Sequence, residues 1–306
     1  MTRSTTGLRR LAAIAAVSAL GLGLAACGGD PTEGDAAASD TIVIGSAAFP
    51  EAEIIGQIYA QALEAEGVKV ETSLNTGPRE TYIKALQNGE LDLLPEYTGN
   101  LLTYFDPEAT ATTSDDVLSA LQDAVPDGYE VLDPAPAEDK DSLNVTPEFA
   151  AANNLTTIAD LKNVPGFSLG ANAEFAERSY GIPGLESVYG ITGIEFVTIA
   201  DSGGPKTLKS LLDGEIDVAD IYSTTPSILE NDLVTLEDPE GLIAAQNVVP
   251  LINSDKASDE VKEILNKVSA ELTTEDLLDL NAKNQGADKV SPKELAKQWL
   301  TEKGFL

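Results

Sequence analysis

Apolar and polar positions along this chain change period in a regular order. Ile42, Val43 and Ile44 form a short apolar run ending at Gly45, which predicts a strand. In residues 50–67, Ile54, Ile55, Ile58, Ala62 and Leu63 share one face at helical spacing. Residues 68–74 alternate as a second strand does. Residues 80–88 predict a helix stopped by Gly89, the residue type favoured just past a helix end. Leu91, Asp92, Leu93 and Leu94 predict a third strand. Strand and helix in alternation predict an α/β fold with a mostly parallel sheet covered by helices. Three further helices are expected over residues 258–270, 274–284 and 291–304, packing back on this first unit. Ser291, Pro292 and Glu294 are suited to the N-cap, N1 and N3 positions of the last one, and Trp299 is expected in the core.

The pattern repeats. Residues 84–93, KALQNGELDL, match residues 209–218, KSLLDGEIDV, at an offset of 125 (209 less 84). The same offset carries Gly45 onto Gly170, and a two-residue slip carries Gly77-Pro78-Arg79 onto Gly204-Pro205-Lys206. Three matches in order predict two lobes with one β-α-β-α-β plan.

The N-terminus adds a location. Arg3, Arg9 and Arg10 precede an uncharged apolar run, 11–24, and the small residues Ala25 and Ala26 lead into Cys27. This pattern resembles a lipoprotein export signal, residues 1–26, cut before Cys27, which then carries lipid. The apolar run is shorter than the roughly 20 residues that span a bilayer. Residues 27–40, rich in Gly, Ala, Asp and Glu, read as a flexible tether. An extracytoplasmic protein held on the cell membrane through Cys27 is the expectation.

Composition then narrows the chemistry. Beyond the signal, 16 Lys and Arg stand against 51 Asp and Glu, a formal charge of −35, so nucleic acid is not an expected partner. The chain has no histidine and one cysteine. That excludes Ser-His and Cys-His nucleophile pairs, HExxH zinc sites and internal disulfides. No catalysis, cofactor or metal is expected. A carboxylate-based hydrolase remains a rival class, and so does a sensory lipoprotein without transport.

In open α/β sheets, ligands sit beyond the carboxyl ends of the strands. After the matched third strands come Tyr97-Thr98 and Tyr222-Ser223, at the same offset in a chain with only 5% aromatics. Two tyrosines facing one cleft suit a methylated ammonium, which is attracted to ring faces. The other reading is two half-buried core tyrosines. Gly204, like Gly77, precedes a helix-opening Pro, where free N–H groups suit a carboxylate. Arg178 is suited either to clamp a carboxylate or to pair with Glu174 or Glu177 at the surface.

Residues 44–49, 84–99, 174–185, 201–205 and 220–224, with Asp232-Leu233-Val234, together resemble the glycine betaine/choline/carnitine substrate-binding lipoproteins of osmoprotectant ABC importers. The resemblance covers about residues 40 to 306. It implies a type II periplasmic-binding-protein fold with two interlobe crossings, near residues 142–144 and 246–248. Residues 41–144 with 248–306 would form one lobe, and 145–247 the other. It implies a small zwitterionic or quaternary ammonium ligand, such as glycine betaine, and an inner-membrane ABC permease as partner. The expected ligand-binding residues are Tyr97, Tyr222, Thr98, Phe49, Arg178, Gly204 and Ser223. The chain departs from the family where Ala47 and Ala48 replace polar residues and where residues 135–144 lack an aromatic. Phe49, Tyr104 and Tyr180 are the candidates to compensate. That departure keeps open a different methylated or amino-acid-like solute, of the ergothioneine kind.

Overall fold

The computed structural model describes residues 40–306. The export signal, Cys27 and all of the tether except Asp40 lie outside the described residues. The elements of the first lobe run β1 (Ile42–Gly45), α1 (Pro50–Ala65), β2 (Val70–Ser73), α2 (Arg79–Gln87), β3 (Leu93–Tyr97), α3 (Thr98–Phe105), α4 (Ser114–Ala124) and β4 (Tyr129–Val131). The second lobe holds β5 (Leu143–Val145), α5 (Pro147–Asn153), β6 (Ser168–Ala171), α6 (Ile182–Tyr189), β7 (Glu195–Thr198), α7 (Pro205–Leu212), β8 (Val218–Asp220), α8 (Ser227–Glu230) and β9 (Val234–Thr235). The chain then returns through β10 (Val248–Asn253) to α9 (Asp259–Glu271), α10 (Thr274–Gln285) and α11 (Pro292–Lys303).

The strands form two sheets with one plan, in the orders β2-β1-β3-β10-β4 and β7-β6-β8-β5-β9. In the first, β1 runs parallel to β2 and β3, and β10 runs antiparallel to β3 and β4. In the second, β6 runs parallel to β7 and β8, and β5 antiparallel to β8 and β9. Each sheet is covered on both faces. The first buries Ile44, Ile55, Leu265 and Trp299 on one side and Ile83, Leu94, Leu101 and Val117 on the other. The C-terminal helices α9, α10 and α11 pack against α1, as the apolar pattern predicts. Ser291 caps α11 by accepting from the Glu294 N–H.

The repeat is structural as well as textual. The Asp92 carboxylate accepts the Val43 N–H at 2.9 Å, and the Asp217 carboxylate accepts the Ser168 N–H at 2.8 Å. Both pairs obey the offset of 125. Gly89 and Gly214 both take φ of +74°, a left-handed conformation glycine tolerates. A Cβ on Gly45 would come within 2.5 Å of the Leu91 side chain, and one on Gly170 within 2.5 Å of Ile216. The third strands begin at Leu93 and Val218, later than the apolar runs predict. Leu91 and Ile216 bury under the glycines, and the next residue in each lobe turns its carboxylate onto the neighbouring strand.

The first passage between sheets falls between Val131 and Leu143, earlier than expected, because Leu143 already pairs with Asp220. The return falls between Thr235 and Val248. The passages run side by side. Glu138 and Asn247 form an antiparallel bridge, Asp139 N–H donates to the Gln246 carbonyl and Val248 N–H to that of Ala137.

Removing a buried acceptor strands its donor, at a cost of about 1–3 kcal/mol. Asp92→Ala should therefore lower unfolding free energy by about that amount, and Asp217→Ala, whose carboxylate is half-buried, by less. Urea midpoints unchanged in both variants would contradict the paired role of these carboxylates.

Candidate ligand-binding cleft

Three aromatic rings meet where the sheets face each other. Phe49 follows β1 and is the N-cap residue of α1. Tyr97 ends β3, and Tyr222 lies two residues beyond β8. The Phe49 ring centre lies 6.0 Å from that of Tyr97 and 5.3 Å from that of Tyr222, tilted by 32° and 69°. Phe49 thus stands between a tyrosine from each lobe. These rings line a cleft of about 280 Å³ together with Asn100, Asp139, Asp141, Asn172 and Arg178. This volume is just below the usual range of small-molecule sites, about 300–1,000 Å³. Tyr82 lines it as well.

The other expected residues are dispersed. Thr98 is buried; its hydroxyl donates to the Ala245 carbonyl and accepts the Asn247 N–H, tying the end of β3 to the return passage. Ser223 is exposed; its hydroxyl donates to Asp139 and accepts the Lys140 N–H. Neither lines the cleft. Gly204 lines a second cavity of about 400 Å³. The N–H groups it was expected to free at the start of α7, those of Lys206 and Thr207, are taken by the Asp201 carboxylate. Arg178 pairs with neither Glu174 nor Glu177. Its guanidinium donates to the Tyr180 hydroxyl at 2.8 Å and reaches Glu80 of the first lobe at 3.4 Å. Of the three candidates to compensate for the missing aromatic, Phe49 lines the cleft and Tyr104 and Tyr180 stand outside its lining.

Behind Tyr97 the sequence had given no sign of what the fold assembles. Glu51, at the second position of α1, is 3% exposed. Its carboxylate accepts from Tyr97 Oη at 2.7 Å, from Thr224 Oγ1 at 2.6 Å and from Asn281 Nδ2 at 2.6 Å. Thr224 belongs to the second lobe, so this cluster joins the two. Asp139, on the first passage, accepts the Thr224 N–H at 3.0 Å and faces the cleft. Burial pushes the carboxyls of Glu51, Asp139 and Asp220 above their ordinary range. The Glu51 charge raises Asp139 further, and that of Asp141 raises Asp220. Hydrogen bonds from Thr224, Tyr97 and Asn281 oppose the rise at Glu51. On the first lobe's wall Arg79 makes a two-pronged pair with Glu96, at 3.0 and 2.9 Å, and Tyr82 Oη donates to the same carboxylate at 2.8 Å.

A family model described as the substrate binding domain of ABC-type glycine betaine transport systems matches residues 40–302. The chain belongs to this family. It is 28% identical over 291 residues to the glycine betaine-binding protein YehZ of Escherichia coli (strain K12), covering 88% of this chain and 92% of that one. It is 26% identical over 274 residues to the carnitine transport binding protein OpuCC of Listeria monocytogenes serotype 1/2a (strain 10403S), covering 87% and 88%. Its fold matches a crystal structure of a glycine betaine/carnitine/choline ABC transporter protein with a TM-score of 0.68 at 22% identity, covering 86% of this chain and 99% of that one. The two-lobed α/β architecture expected from the resemblance is the fold observed. As a member of this family the protein is a substrate-binding component of an ABC transport system and not an enzyme.

The raised carboxyls have a consequence for stability. Between the ordinary carboxyl range and neutrality, the folded state holds protons that the unfolded chain has released. The stability these three groups contribute is therefore fullest at or below the ordinary carboxyl range, about pH 4, and declines as pH rises. Asp139→Asn removes one such group. From pH 5 to 8 its melting temperature should fall less than that of the wild type, which shares the same surface repulsion. Parallel slopes would show that Asp139 ionises in the folded protein as it does unfolded.

Proposed function

We propose that this protein captures a small methylated-ammonium solute, of the glycine betaine type, between the two lobes. Phe49 flanked by Tyr97 and Tyr222 carries this reading. Ring faces attract a methylated cation by roughly 0.5–2 kcal/mol each, and more when water is excluded. Arg178, at the cleft wall, would face a carboxylate on the same solute. The lobes built on the two sheets would hinge at the paired passages and close over the ligand, a known switching mode. The names of YehZ and OpuCC, a glycine betaine binder and a carnitine transport binder, support this class of cargo. An ABC permease in the cell membrane would receive it.

Removing one ring tests the site. Tyr222→Ala should lose tenfold or more in affinity for the best of glycine betaine, choline and carnitine, while Tyr222→Phe keeps most of it. Titration calorimetry in which folded Tyr222→Ala binds as the wild type does would remove the aromatic cleft from the reading.

The protein would work outside the cytoplasm, tethered by lipid on Cys27 after removal of residues 1–26. Cys27→Ala should release the protein or leave uncut precursor. A variant that is still cut and membrane-bound would overturn the lipid anchor.

A further inference from the structure

The rings account for the methyl groups of a ligand, but not for the carboxylates in the cleft wall, Asp139 and Asp141, or behind it, Glu51 and Asp220. Glu51, Asp139, Asp141 and Asp220 are each at most 8% exposed. The two arginines of the cleft pair with other groups than these: Arg79 with Glu96, and Arg178 with Tyr180 and Glu80. Among the described residues no Lys or Arg nitrogen lies within 4.0 Å of any of the four carboxylates.

Two of these groups are well supplied with donors. Glu51 accepts from Tyr97, Thr224 and Asn281. Asp139 accepts from the Thr224 N–H and the Ser223 hydroxyl. Asp141 is different. It lines the cleft, and the hydrogen bond it accepts comes from Asn100 Nδ2, at 3.0 Å to Oδ2. Asp220, 4% exposed, lies within hydrogen-bonding reach of it, and Asp220 Oδ1 meets no donor. The Arg178 charge acts on both through space without pairing with either.

Asp141 is a buried carboxylate at the cleft with Asn100 as its donor and, among the described residues, no cation in contact, and burial on those terms is costly. A quaternary ammonium cannot repair this, because it presents only methyl groups. An ammonium that keeps one N–H can donate to a carboxylate and still offer its remaining methyls to the rings. Resting on the reading of this cleft as an ammonium site, we propose that Asp141, held by Asn100 and backed by Asp220, accepts an N–H from the ligand. It would thereby select an incompletely methylated amine over the fully methylated one.

Two ligand pairs isolate the N–H. Choline and protonated N,N-dimethylaminoethanol carry the same charge and differ by one methyl. Glycine betaine and N,N-dimethylglycine form the same comparison among zwitterions. In a plain aromatic cage, loss of one buried methyl weakens binding by about fourfold. Here the dimethyl member of each pair should bind the wild type at least fivefold more tightly by calorimetry. Asp141→Asn should reverse the order in favour of the trimethyl member. A wild type that prefers the trimethyl members overturns the inference and leaves the ammonium site standing, as does an unchanged order in a folded Asp141→Asn. Binding of none of the four compounds would overturn both. If Asp141→Asn fails to fold, the order in the wild type decides.

Discussion

The carboxylate of Glu51 accepts hydrogen bonds from three separate parts of the protein: the end of β3, the loop after β8, and α10. Burial without a cationic partner makes each of these donors necessary. Tyr97 is thereby fixed in rotation, and Thr224 is drawn across from the second lobe. Of the three donors Thr224 alone comes from the second lobe, and its bond exchanges with water for a small net contribution. A typical exchange of this kind is worth about 0.5–1.5 kcal/mol, or about 1.5–3 with a charged partner. Thr224 is thus a modest link between the two lobes, made to Glu51, Asn281 and Asp139.

The second constraint is the shared plan of the sheets. Because Asp92 and Asp217 fasten equivalent strands in the same way, the ends of β3 and β8 arrive at the cleft as counterparts. This is why Tyr97 and Tyr222 can share one ring, Phe49, between them. The paired passages at Glu138 and Asn247 link the lobes at a short double strand. Asp139 and Asp141 follow Glu138 on the first passage, so they face the cleft from the link between the sheets.

Much of this was legible in the sequence, for local reasons. The strands, the helices and the glycine stops follow from periodicity and turn chemistry within a few residues. The offset of 125 between matched segments pointed to Tyr97 and Tyr222 because a repeat preserves position as well as pattern. Thr98 and Ser223 obeyed the same offset yet turn to the passages, because the backbone at a strand end bends and adjacent side chains diverge. Glu51 looked like any acid in the first turn of a helix. Its burial depends on Thr224 and Asn281, which are 173 and 230 residues away. Asp139 and Asp141, on either side of Lys140, read as a solvated polar run in a chain with 51 acids. No single-sequence pattern separates those cases, since only juxtaposition across the lobes makes them buried.

The lobes are alike in plan and unlike in the wall behind each tyrosine. Before Tyr97 stands Glu96, 0% exposed, paired with Arg79 and bonded by Tyr82 and by the Tyr97 N–H. The counterpart of Glu96 at the repeat offset is Ile221, also 0% exposed and packed among apolar residues. An apolar residue does the same packing without the desolvation cost of a buried ion pair, so stability alone does not explain the pair. What the pair adds is direction. Its forked geometry fixes the strand end where Tyr97 leaves it, and Tyr97, at 6% exposure, is further held by Glu51. Tyr222 is half-buried and rests against Phe49 without a comparable network. Tyr97 is therefore held by a hydrogen-bonded network of its own lobe, whereas Tyr222 rests on its aromatic contact with Phe49.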